Sequence, residues 1–256
     1  MIGIGIQGQG DTLSGRPVWD AAFAGPYGYV APVVVMPEGR PPYRAAAKLE
    51  LDTQADPPYR VVQLYDDPLL AGGGQSDPNL NGIREIEVDD QGSVYVINAD
   101  SHTYSDILWA HRPDGRIQRL VLDPLGIDDP IGLCVSNTDK RVYVGSGYWD
   151  QSRLNETVVY GFSTEDLGLK RAVTIRGMEC VTGMAVHPRR EVVWVVGVGF
   201  GDRPLMPSAW GPAFYRPYLA VVTPDQDEVE AIALTGTDTT AGSDLALPTS
   251  IVWKGF

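Results

Sequence analysis

The sequence predicts an all-β fold: a β-propeller of about four four-stranded antiparallel blades, its ring closed by strands from both ends of the chain. Three observations lead there. Three segments repeat one hairpin wording, each hairpin is followed by two further strand-like runs, and a nine-residue aromatic element occurs near both chain ends. Repetition at this period is the signature of closed, modular architectures.

The first hairpin runs from Gly82-Ile83 through Ile86-Glu87-Val88 to the turn Asp89-Asp90-Gln91-Gly92 and then Val94-Tyr95-Val96. The second runs from Gly132-Leu133-Cys134-Val135 through Asn137-Thr138-Asp139-Lys140 to Val142-Tyr143-Val144. The third runs from Gly183-Met184-Ala185-Val186 through His187-Pro188-Arg189-Arg190 to Val193-Trp194-Val195. Each is a small residue and an apolar strand, a polar turn, then a β-branched and aromatic strand. The aromatic follows the glycine by 13, 11 and 11 residues.

Two more strands complete each unit. They are Ile107 to Ala110 with Ile117 to Leu122, Thr157 to Tyr160 with Leu169 to Val173, and Leu219 to Val222 with Val229 to Leu234. The fourth unit is split. Leu247 to Trp253 reads as the first strand of a blade, and its partners fall at the other end: Ile2 to Ile6, Tyr29 to Met36, and Ala45 to Leu51 or Tyr59 to Tyr65. The expected blades are therefore about 83–123, 131–176, 181–235, and 247–256 completed by 1–66, all in a single domain spanning 1–256. Closing a ring this way removes exposed sheet edges. Two unrelated β-sandwich halves are the competing arrangement.

Trp-x-x-Ala-Phe-x-x-Pro-Tyr occurs at Trp19 to Tyr27 and again at Trp210 to Tyr218. With only 6 Trp and 5 Phe in the chain, chance is a poor explanation of the match. Its two copies are expected in equivalent connections of the third and the split fourth blades. They mark where the ends of the ring meet more than they mark a ligand.

The 256 residues, 43% hydrophobic and 21% charged, suffice for a sizeable core. The 29 Gly and 20 Pro are spread throughout, as many short strands and turns require. A net charge of −13 argues against nucleic acid and anionic membranes as partners. Apolar runs are of strand length, so no membrane span is expected. No basic segment followed by an apolar one opens the chain, so no signal peptide is read, and a mature secreted or periplasmic form stays open. The two cysteines, Cys134 and Cys180, do not make a disulfide framework. The sequon Asn155-Glu156-Thr157 has meaning only in a secreted protein.

The wording Gly-Ile-x-x-Ile-x-Val-Asp-Asp-x-Gly-x-Val-Tyr-Val from Gly82 to Val96, with Arg-Pro-Asp-Gly-Arg-Ile from Arg112 to Ile117, resembles the NHL and SMP-30/gluconolactonase-like propellers. The likeness is clear in the first blade, fair in the next two and weak in the split one. Members of that superfamily usually have six blades. About four here implies either a small propeller or part of a larger ring, completed as a homo-oligomer or within a complex. The resemblance also implies a divalent cation held by acidic and amide side chains in the channel, with a carboxylate as base. Oxygen ligands of that kind suit Ca2+ or Mg2+.

In such a blade the connections after strands two and four share one face. The connections after strand two carry Trp19 and Phe23, His102 and Tyr104, Tyr148 and Trp149, and Trp210 and Tyr215, with Asp150 and Asp20 among the acidic neighbours. Aromatic faces mixed with acceptors suit sugars, peptides or cations; packing over loop undersides is the competing role. Metal candidates just before the first strands of the blades are Asn81, Asp129, Glu179 and Asp244, although Asp and Asn also favour turns.

Gly3-Ile4-Gly5-Ile6-Gln7-Gly8 fits a dinucleotide-binding spelling but lacks the preceding strand and following helix that the chemistry needs. No G-x-S-x-G elbow and no HExxH is present. Of three histidines, only His102 falls on the candidate face. The leading expectation is a non-catalytic propeller that binds a small polar ligand, glycan, peptide or protein partner and needs no cofactor. A metal-dependent lactonase- or esterase-type hydrolase and a structural subunit of a larger assembly are the alternatives.

Overall fold

The computed structural model describes residues 12–13, 20–36, 43–52, 54–55, 58–66, 83–99, 106–127, 130–146, 156–187, 189–190, 192–199, 216–223 and 225–234. The fold is all-β and of the β-propeller class, with four sheets as its blades, antiparallel throughout except for one short parallel strand. Among the described residues the one helical turn is a 3-10 turn at Asp123–Leu125. The chain forms two compact units, Met1–Asp129 and Pro130–Phe256.

The N-terminal unit holds two sheets. The first is built from β1 (Thr12–Leu13), β2 (Asp20–Ala24), β3 (Tyr27–Met36), β4 (Tyr43–Leu51) and β5 (Tyr59–Tyr65) in the order β1-β3-β4-β5, with β2 also on β3. Both Tyr43–Leu51 and Tyr59–Tyr65 are strands of this sheet, so the alternatives in the sequence are both realised. Asp20–Ala24, expected as an aromatic connection, is instead one arm of a tight hairpin in which Ala24 pairs with Tyr27 across Gly25-Pro26. Gly25 has φ +58, the left-handed value such a turn needs at its first central position. The second sheet is the meander β6 (Ile83–Val88), β7 (Val94–Asn98), β8 (Ile107–His111) and β9 (Ile117–Val121), as expected.

The core of this unit lies between its two sheets. Ala22, Tyr29, Ala31, Ala46 and Tyr65 meet Ile83, Ile86, Val94, Val96 and Trp109. Tyr65 and Trp109 pack edge to face at 5.7 Å between ring centroids, and Tyr65 packs on His111 at 5.2 Å.

The C-terminal unit holds β10 (Pro130–Ser136), β11 (Arg141–Ser146), β12 (Glu156–Ser163) and β13 (Leu169–Arg176) in one sheet. The other contains β14 (Cys180–Val186), β15 (Val193–Gly199) and β16 (Arg216–Val222). The run Val229 to Leu234, expected as one outer strand, is divided between them. β17 (Glu228–Glu230) lies parallel to β13, and β18 (Ile232–Ala233) pairs antiparallel with β16. Backbone bonds from Thr174 N–H to Asp227 O (2.9 Å) and from Ala231 N–H to Arg176 O (2.7 Å) bracket the parallel stretch and draw the segment away from β16.

These two sheets interlock through close approach. A Cβ placed on Gly145 would stand 2.6 Å from Val181 Cγ1, and one on Gly132 would stand 2.8 Å from the same atom. Val181 and Met184 join Cys134, Tyr143, Val159, Val173 and Ile175 in one buried cluster.

Candidate functional site

The aromatic and acidic candidates Trp19, His102, Tyr104, Tyr148, Trp149, Asp150, Trp210 and Tyr215 lie outside the described residues, as do Asn81, Asp129 and Asp244. Phe23 and Glu179 are described. Phe23 stands on β2 with 69% of its surface exposed, beside Leu51 and above Gly28, where a Cβ would lie 3.5 Å from its ring. Glu179 is buried immediately before β14, and its N–H donates to Val198 O at 2.9 Å. The residue has a further interaction within the fold. Phe23 belongs to the N-terminal unit and Glu179 to the C-terminal one. Among the described residues no group of three or more His, Cys, Asp or Glu is placed to hold a metal ion.

The described residues do bring carboxyl groups together on the first strand of the second sheet. β6 carries Glu85 and Glu87 two positions apart, which alternation places on the same side of the strand. Asp20, at the start of β2, reaches this strand from 66 residues upstream: its Oδ2 accepts the Ile86 N–H at 2.9 Å. Its Oδ1 accepts the Ala21 N–H at 2.8 Å. The tight turn at Gly25 and the burial of Ala22 and Tyr29 against Ile83 and Ile86 hold β2 against β6 and so fix this reach.

Glu87 departs from the internal repeat. In the first hairpin Glu87 pairs with Tyr95, in the second Cys134 pairs with Tyr143, and in the third Ala185 pairs with Trp194. The position opposite the aromatic is thus Glu, Cys and Ala in the three blades. A carboxyl there is not demanded by the fold, because two blades form the same pair without it.

The surroundings of Glu87 oppose its ionisation. Part of the residue is accessible, but its carboxyl is enclosed, and burial is the main reason its pKa is pushed up to about 8. The charges of Asp20 and Glu85 add to the effect, while a backbone hydrogen bond at Val88 opposes it. Burial also raises Asp20, against the lowering effect of its two backbone hydrogen bonds. Those two donated N–H groups hold the Asp20 carboxyl in place beside Glu87, whose proton is bound more tightly than usual.

Other ionisable groups nearby have structural roles. Tyr95 O–H donates to Asp89 at 2.9 Å and accepts from Arg112 Nη1 at 2.7 Å. Arg112 also holds Gln118 through Nε at 2.7 Å. In the second hairpin Tyr143 O–H donates to Asp139 at 2.6 Å, so an aromatic hydroxyl on a turn carboxylate recurs in both units.

No protein-family model matches the chain, and comparison with curated proteins finds no match. Among solved structures, Kuenenia stuttgartiensis hydrazine synthase is similar at a TM-score of 0.52 and 9% identity, over 85% of this chain and 65% of that one. A gluconolactonase from Xanthomonas campestris has a TM-score of 0.45 at 13% identity, over 88% of this chain and 80% of that one. A xylan beta-1,4-xylosidase from Bacillus halodurans C-125 has a TM-score of 0.46 at 12% identity, over 87% and 41%. The chain thus spans less than two thirds of the hydrazine synthase chain. At such identities the first likeness bears on the fold alone, and the other two add no argument.

Proposed function

We propose that the protein is a propeller hydrolase acting on a small, uncharged oxygen-rich substrate such as a lactone or glycoside, with its reacting group held over β6. Glu87 serves as the proton donor to the departing oxygen, and Asp20 as the carboxylate that stabilises positive charge or orients water. The observation that carries the reading is the departure of Glu87 from Cys134 and Ala185 at one repeat position, combined with the placement of Asp20 beside it. A carboxylic acid that keeps its proton near neutral pH is the form that general-acid catalysis needs. An anionic cluster also disfavours anionic substrates, which supports an uncharged one.

The test is turnover of a panel of chromogenic lactones, esters and glycosides by the full chain. Activity is expected to fall at least about 100-fold in Glu87→Gln, because removal of a general acid costs that much. In the wild type it should decline above pH 8, as Glu87 loses its proton. No turnover on any member, or turnover retained in folded Glu87→Gln, would overturn the reading.

A second reading, binding without catalysis, is favoured by the exposure of Phe23 next to the partly exposed Leu51. Retained capture of a glycan or protein partner by Glu87→Gln, with loss in Phe23→Ala, would support it over the first.

A further inference from the structure

The edge of β13 is basic, and the segment laid on it is acidic. β13 reads Leu169-Lys170-Arg171-Ala172-Val173-Thr174-Ile175-Arg176, with three cations in eight residues. The covering segment reads Asp225-Gln226-Asp227-Glu228-Val229-Glu230, with four carboxylates in six. In a chain of net charge −13, three cations on one strand are a local departure.

The pairing is parallel and short: Thr174 with Glu228, Ile175 with Val229, and Arg176 with Glu230. Arg176 Nε meets Glu228 Oε1 at 2.9 Å, with both side chains about half exposed. Glu228 and Glu230 are exposed, and Val229 alone turns toward the cluster beneath. Beyond Thr174 the same edge of β13, from Leu169 to Val173, has no strand beside it among the described residues. Arg171 adds an independent sign. Its Nη1 donates to Thr223 O at 2.7 Å, while its Nη2 is buried with no acceptor among the described residues. A guanidinium nitrogen in that state is short of the oxygen that a carboxylate would bring.

We propose that the outer edge of β13 is a docking site for an extended acidic peptide, added parallel to the strand, and that residues 225–230 occupy it as a displaceable stand-in. Backbone pairing supplies the affinity in such strand addition, and Lys170, Arg171 and Arg176 select for acidic side chains. The stand-in prevails because it is tethered: a linked segment competes at an effective concentration on the order of millimolar. A three-residue strand held largely by exposed contacts gives way to a longer acidic strand that also covers Leu169 to Val173.

The probe is a fluorescein-labelled synthetic peptide with the sequence of Thr223 to Leu234, alongside a copy in which every Asp and Glu is Lys. Anisotropy is read against the full-length chain. Wild type is expected to bind the acidic peptide weakly. Val229→Pro removes a backbone donor from the middle of the stand-in and should tighten binding by about tenfold or more, as the tether advantage is lost. Glu228→Lys should tighten it about threefold, the scale of an exposed ion pair. Arg176→Glu, added to either variant, should abolish the gain, and raised salt should weaken binding.

Folding of each variant is followed by circular dichroism and thermal melting. A folded Val229→Pro chain that binds no better than wild type, or that binds the lysine peptide equally well, overturns the proposal. If Val229→Pro does not fold, Glu228→Lys decides, and no gain there overturns it. Self-association of a variant without added peptide also overturns it, because the edge would then be selecting a second copy.

Discussion

The hairpins β6–β7 and β10–β11 are the same structure built for different ends. Both have five paired positions ending in a polar turn, and in both the tyrosine hydroxyl on the second strand donates to a turn carboxylate, Asp89 or Asp139. Beneath that tyrosine the C-terminal unit places Cys134, sealed in the cluster with Val181 and Met184. The N-terminal unit places Glu87 there, beside Asp20 and Glu85. Two positions farther along the second strands the contrast reverses. Gly145 admits Val181 against its backbone, while the equivalent Ile97 fills its own space. The C-terminal hairpin is shaped for close sheet packing, whereas the N-terminal one keeps a carboxyl where packing would prefer none. A repeat thus supplies its own control: what all copies share belongs to the fold, and what one copy changes calls for another reason.

The sharpest way to break the comparison is to move the carboxyl. Cys134→Glu places it in a site only 2% exposed and without an Asp20 to fix the neighbourhood. Overpacking and an unsatisfied polar group together should cost about 3–5 kcal/mol. Urea denaturation is the measurement, and a loss below about 1 kcal/mol would show that the two positions are equally tolerant.

The opposite exchange is milder and depends on pH. Glu87 has a folded-state pKa of about 8, above its ordinary 4.5, so the folded state binds that proton more tightly. The stabilisation it brings is full below pH 4.5 and is lost as pH rises through 8. Wild type should therefore lose on the order of a few kcal/mol between pH 5 and 9, and Glu87→Gln should flatten that slope. Urea midpoints at pH 5, 7 and 9 test it. Parallel slopes for both chains would mean that Glu87 ionises freely.

The smallest effect separates the two tyrosines. Tyr95→Phe leaves the nearly buried Asp89 and Arg112 each one partner short, an expected loss of about 2 kcal/mol. Tyr143→Phe takes a partner from Asp139 and Arg141, both only half-buried, and should cost about 1 kcal/mol. Equal losses by thermal melting would remove the distinction.

The three hairpins were legible in the sequence because strand alternation and turn residues are local signals. Ile86, Val94 and Val96 alternate inward as read, and the Asp89 turn closes through bonds to Gln91 N–H and Ser93 N–H. The strand Asp20–Ala24 was not legible. Its Trp-x-x-Ala-Phe spelling drew attention to the rings, while Gly25-Pro26 carried the hairpin signal. The parallel seat of β17 was hidden because partner choice depends on β13, more than fifty residues upstream. The closeness of Asp20 and Glu87 is likewise tertiary. Sequence offsets do not reveal the equivalence of Glu87 with Cys134 and Ala185: Glu87 precedes its aromatic by 8 residues and the other two precede theirs by 9, so only the strand pairing sets them at one position. Apart from Phe23, the expected aromatic face rests on residues outside those described.

The division of residues 228 to 233 between two sheets has an evolutionary consequence. Propellers grow and shrink by copying or losing whole blades, which requires that the cut fall between them. Here the outermost strand of one blade is threaded onto its neighbour before it returns, through β17 and then β18. A duplication that copied either sheet alone would carry half a strand and leave the other half behind. A copy that kept the whole segment would have to take both sheets.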